Sequence, residues 1–148
     1  MKEEDQNLKN CWFRLIQITC ITSNLLKLET LFKVTRVYSD ENGDSRFEDI
    51  FIPLRDAGEI GMLSETIPAK GIIFREVAPE YDYDFHNAPQ RQYLVLIDGS
   101  IEIETSLGDL RQFHAGDVLL LEDTEGKGHR TRNLEHRKRK SVFITIDG

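Results

Sequence analysis

The spacing of hydrophobic and polar positions changes near residue 34. Before it, Leu25, Leu26, Leu28 and Leu31 fall on one face of a short helix, with Ser23 or Asn24 as its cap. Residues 11–22 are rich in β-branched side chains and fit helix or strand. After residue 34, short apolar runs alternate with polar positions at period two. This pattern predicts strands over residues 34–38, 47–54, 71–77, 92–97, 101–105, 110–113, 118–121 and 141–146. Asp40-Glu41-Asn42-Gly43-Asp44, Asp98-Gly99 and Leu107-Gly108-Asp109 are turn sequences between them. Pro53 cannot donate to a ladder, so it marks a strand edge or end. Many short, evenly spaced strands indicate an all-β fold, an antiparallel sandwich or barrel. The expected organisation is an N-terminal extension over residues 1–33 and one β-domain over residues 34–148.

Composition supports a folded chain of this size. Of 148 residues, 39% are hydrophobic and 30% charged, which suits a domain that buries its own core. A net charge of −7 argues against general affinity for nucleic acid. Charge is unevenly placed: from Lys127 onward seven Lys and Arg face only Glu135 and Asp147. His136-Arg137-Lys138-Arg139-Lys140 has no interleaved aromatics, so it reads as a solvated tip between two strands rather than a nucleic-acid patch. Cys11 and Cys20 lack the paired spacing of a zinc site and read as reduced thiols. Residues 11–21 are interrupted by Arg14 and Gln17 and follow Glu3, Glu4 and Asp5, unlike a secretory signal. The expectation is a cytoplasmic protein with no membrane partner. No nucleophile elbow or phosphate-binding glycine loop is present in the sequence.

The candidate chemistry sits in two segments. One runs from Asp84-Phe85-His86-Asn87-Ala88 through Gln92 to Asp98-Gly99. The other runs from Gly116-Asp117 through Gly126-Lys127-Gly128-His129 to Asn133. If Gln92 faces inward, Leu94 and Leu96 do so too, and Tyr93, Val95 and Ile97 face out. His129, Thr131 and Asn133 likewise share a face. Tyr81-Asp82-Tyr83-Asp84 precedes His86 and reads as a loop over the barrel mouth, where Tyr83 and Asp84 can meet a polar ligand. Of Arg75 and Glu76, one must point inward. Arg75, with Arg91 beside Gln92, can bind a carboxylate through paired hydrogen bonds.

These segments resemble the two motifs of the cupin superfamily, over roughly residues 71–146. The resemblance implies a jelly-roll barrel, often dimeric, whose first motif gives two histidines and a glutamate and whose second gives a third histidine. Matched position by position, Gly99 closes the first motif, Gln92 replaces the glutamate, and His86 remains while Ala88 replaces the second histidine. Gly116-Asp117 opens the second motif, and His129 and Asn133 fall in place. The span from Gly116 to His129 is two residues longer than the pattern, and Glu122 stands where the pattern has proline. The metal ligands implied are His86, Gln92 and His129, for iron, manganese, nickel or zinc. The ligand-binding set adds Arg75, Tyr83 and Asp84. Two functions follow: a homodimeric cupin binding a small polar molecule, with at most a weakly held divalent metal, or a metal-dependent enzyme of dioxygenase or isomerase type.

Overall fold

The computed structural model describes residues 30–147, and the statements below concern these. Eleven strands follow in order: β1 (Thr30–Ser39), β2 (Ser45–Asp56), β3 (Met62–Leu63), β4 (Gly71–Val77), β5 (Asp82–His86), β6 (Gln92–Leu96), β7 (Ser100–Thr105), β8 (Leu110–His114), β9 (Val118–Leu121), β10 (His129–Asn133) and β11 (Arg139–Thr145). One 3-10 turn, Gly58–Ile60, precedes β3. The strands form two sheets, a larger one in the order β3-β2-β1-β9-β6-β11-β4 and a smaller one in the order β5-β10-β7-β8. This is an all-β fold of jelly-roll type. No helix among the described residues is long and apolar enough to cross a membrane.

Alternation decides which side chains fill the space between the sheets. In β6, Gln92, Leu94 and Leu96 are buried and Tyr93 and Val95 less so, as period two requires. Leu94 and Leu96 join Val37, Ile101, Ile103, Phe113, Leu119 and Leu121 in the main core, with Phe47 and Phe143 packed against it. On the larger sheet's outer face Tyr93 and Val118 pack with Val34, Leu120 and Ile146.

The structure departs from the sequence reading in four places. First, β1 begins at Thr30, so Leu31 is in a strand and not a helix. The helix expected at Leu25, Leu26 and Leu28 lies outside the described residues, as do Cys11 and Cys20. Second, β1 pairs with β9 in parallel, while every other pairing with a described register is antiparallel. The intervening chain is long enough for the return that a parallel pair needs. Third, residues 82–86 form a strand, not a loop. Aspartate is depleted in strands, yet pairing with β10 overrides that preference. Fourth, β11 begins at Arg139, which removes this residue from the solvated tip. Pro53 sits within β2, whose outer neighbour β3 reaches only Arg55 and Asp56, so the unpaired edge tolerates it.

Candidate functional site

A cavity of about 360 Å³ lies on the inner face of β4, β6 and β11, beside β5 and β10. That size suits a small organic molecule. Its lining includes Arg75, Tyr81, Tyr83, His86, Gln92, His129 and Arg139, with Ile73, Leu94 and Phe143 as apolar wall. Register explains the convergence. On β11, Arg139, Ser141, Phe143 and Thr145 lie opposite Val77, Arg75, Ile73 and Gly71 of β4. On its other side Phe143 faces Leu94, and Thr145 faces Gln92.

His86 and His129 meet across the β5–β10 pair as direct partners, with ring centroids 4.7 Å apart. This approach depends on Gly128, whose φ of +68° suits glycine. A Cβ there would lie 2.2 Å from the His86 carbonyl oxygen. Ser45 Oγ, fully buried, donates to the Gly128 carbonyl at 2.6 Å and fixes the turn. The chain before His129 therefore passes close against the His86 backbone at Gly128 and against Gly43 at Gly126.

Both imidazoles are oriented through Nδ1. His129 Nδ1 donates to Asp123 Oδ2 at 2.5 Å, inside a pair where His129 is 2% and Asp123 0% exposed. Asp123 Oδ1 has no partner, and the Asp123 carbonyl accepts from Asn87 Nδ2 and from the Ala88 N–H. His86 Nδ1 donates to the Asp84 carbonyl at 2.7 Å. With Nδ1 engaged, Nε2 is the remaining ring nitrogen of each imidazole, and a neutral ring keeps its lone pair there. Burial lowers the pKa of His86, with the nearby His129 adding to the effect and the Asp84 carbonyl opposing it. His86 is thus held in its neutral form at neutral pH.

The other predicted residues divide. Gln92 is buried at the start of β6 and lines the cavity. Tyr83 lines it with its ring centroid 3.9 Å from that of His86. Arg75 points inward, as one of the Arg75–Glu76 pair must, while Glu76 pairs outside with Lys138. Asp84 is not among the lining residues: it is exposed and its carboxylate accepts the Phe85 N–H. The cause is a β-bulge. His86 pairs with His129 but Tyr83 with Thr131, so β5 carries one residue more than β10 over this stretch. The extra residue puts Tyr83 and His86 on one face although they are three apart. Arg91 also lies outside the cavity, on Glu122 Oε1 and the Asp147 carbonyl. The sequence reading missed Arg139, 1% exposed and in the cavity wall. Alternation along Arg139, Ser141, Phe143 and Thr145 was the available signal, masked by the surrounding charges.

The metal site implied by the family resemblance fits poorly here. Two imidazoles and a neutral amide fall short of the three imidazole or carboxylate ligands usual for such ions. Among the described residues no group of three or more His, Cys, Asp or Glu is arranged for a metal. Two guanidiniums, Arg75 and Arg139, also face the same cavity and repel a divalent cation.

Comparison with known proteins gives likeness at the level of solved structures. Several of these neighbours are described as cupin domains. The chain is similar to a Cupin 2 conserved barrel domain protein from Salinispora arenicola CNS-205, at 23% identity over 52% of this chain and 62% of that one, with a TM-score of 0.43. It thus spans less than two thirds of that protein's length. It is similar to a cupin domain from Bordetella pertussis Tohama I, at 20% identity over 52% of this chain and 80% of that one, TM-score 0.42. A third is the Schizosaccharomyces pombe Cnp3 cupin domain, at 12% identity over 84% and 88%, TM-score 0.43. No protein-family model and no curated protein matches the chain.

Proposed function

We propose that this is a cupin-type barrel that binds a small polar molecule in its inner cavity, against His86, Gln92 and His129. The observation carrying this reading is the pair of Nδ1-anchored imidazoles, 4.7 Å apart, in a cavity of about 360 Å³. Orienting both rings through Nδ1 leaves both Nε2 atoms for bonds to one ligand. The metal-dependent enzyme reading loses support from the donor set, and the organic ligand is preferred.

Thermal unfolding tests this against a panel of small sugars, amino acids and carboxylic acids. At least one compound at ten times its dissociation constant raises the melting temperature by about 3–6 °C. The rise is lost in His86→Ala and Gln92→Ala, and EDTA leaves the melting temperature unchanged. A panel without effect, or a rise equal in both variants, contradicts the proposal.

We further propose that the protein acts in the cytoplasm as a homodimer. The outer face of the larger sheet supports the dimer: Tyr93, Val95, Ile144 and Val118 line an apolar groove of about 420 Å³ there. Edge strand β4 adds exposed Ile72 and Phe74. Pairing of the C-terminal cations supports the absence of a nucleic-acid partner: Arg130 bonds Asp82, Arg132 bonds Glu102, Arg137 bonds Glu135 and Lys138 bonds Glu76.

A further inference from the structure

The cavity contains two positive charges and no lining carboxylate. Arg139 is the more constrained. Its Nε donates to Asn133 Oδ1 at 2.9 Å, while its Nη1 is buried with no partner. Its stem is held by the Asp98-Gly99 turn, where a Cβ on Gly99 would lie 3.1 Å from Arg139 Cγ. No described carboxylate pairs with Arg139 or Arg75, although four neighbouring cations, Arg130, Arg132, Arg137 and Lys138, each have one. Instead the two guanidiniums share an aromatic ring. Arg75 lies 4.7 Å and Arg139 5.9 Å from the Tyr81 centroid, and Arg75 also lies 5.3 Å from that of Phe143.

A cation removed from water without an anionic partner is costly. Cation–π contact offsets part of that cost but leaves Nη1 without an acceptor. Burial and the neighbouring charge of Arg75 both push the Arg139 pKa down, in the direction an unneutralised pair demands. The arrangement is stabilised most by an acceptor that brings negative charge. Apolar Ile73, Leu94 and Phe143 beside the arginines suit a carbon skeleton, and the Tyr81 and Tyr83 rings, 6.3 Å apart, lead from the arginines to His86.

We propose that the ligand of this cavity is a small organic carboxylate, its anionic group held by Arg75 and the Arg139 guanidinium and its apolar body lying along Tyr81 and Phe143. The inference rests on the ligand-site reading above and adds the ligand's charge. A hydroxyl or amine at the far end of such a molecule would donate to a histidine Nε2.

The test is calorimetric titration of the full chain with benzoate and with benzamide, its neutral isostere. Benzoate is expected to bind at least about tenfold more tightly, and Arg75→Gln and Arg139→Gln each to weaken benzoate by about tenfold. Both variants keep benzamide affinity within about twofold, since they remove charge rather than the apolar wall. Equal binding of the two probes overturns the carboxylate inference and leaves the ligand-site reading intact. Absence of binding by either overturns the inference as well, while the ligand-site reading is judged on its own panel. Should Arg139→Gln fail to fold, Arg75→Gln and the Arg139 Nε–H resonance of the unsubstituted protein decide. A resonance that stays in place at saturating benzoate overturns the inference.

Discussion

At the scale of single residues, Glu122 joins β1 to the chain entering β6. It stands where the motif has proline, and its carboxylate accepts from Arg36 of β1 and from Arg91 beside β6. Burial raises its pKa, but the two guanidiniums outweigh this and leave it below its ordinary value. A lowered folded pKa stabilises the protein above the unfolded value of about 4.3, and the contribution is lost as pH falls through the folded one. Glu122→Gln is therefore expected to cost about 1–2 kcal/mol at pH 7 in urea unfolding. The cost should shrink below pH 4, and a pH-independent difference would contradict the clasp. The inward position of Gln92 and of His129 was legible in the sequence because motif spacing and alternation agree on them, whereas His86 rested on motif spacing alone. Arg139 was not legible, because one inward cation inside a run of five basic residues has no distinguishing composition; only the β11 register reveals it.

At the scale of elements, alternation located most strands, while the residues of β5 read as a loop. The bulge there adds a residue, which removes Asp84 from the cavity lining and brings Tyr83 in beside His86. A one-residue shift reverses side-chain faces, and no local sequence pattern marks it, since the bulge is set by pairing with β10. Gly128 is the element-level constraint most exposed to test. Gly128→Ala combines positive φ with a backbone collision and should cost about 2–3 kcal/mol in denaturant unfolding. It should also displace His86 and weaken ligand binding. An alanine variant with unchanged stability would show that the β5–β10 approach is looser than described.

At the scale of the whole molecule, the two faces of the larger sheet differ in chemistry. Its inner face presents Gln92, Arg75 and Arg139 to the cavity. Its outer face is apolar, and the sequence disclosed this through the intervening positions Tyr93 and Val95. If a second copy covers that face, light scattering gives twice 17.1 kDa. Val95→Glu, which places a charge in the outer groove and leaves the inner wall untouched, should halve the mass. A monomer at micromolar concentration in the unsubstituted protein contradicts the dimer. NMR titration with benzoate distinguishes a ligand in the inner cavity from one in the outer groove. The imidazole resonances of His86 and His129 are expected to shift together while those of His114 and His136, both exposed, stay fixed. Shifts confined to the outer-groove residues Ile52, Leu63 and Ile67, with His86 and His129 unmoved, would contradict binding in the inner cavity.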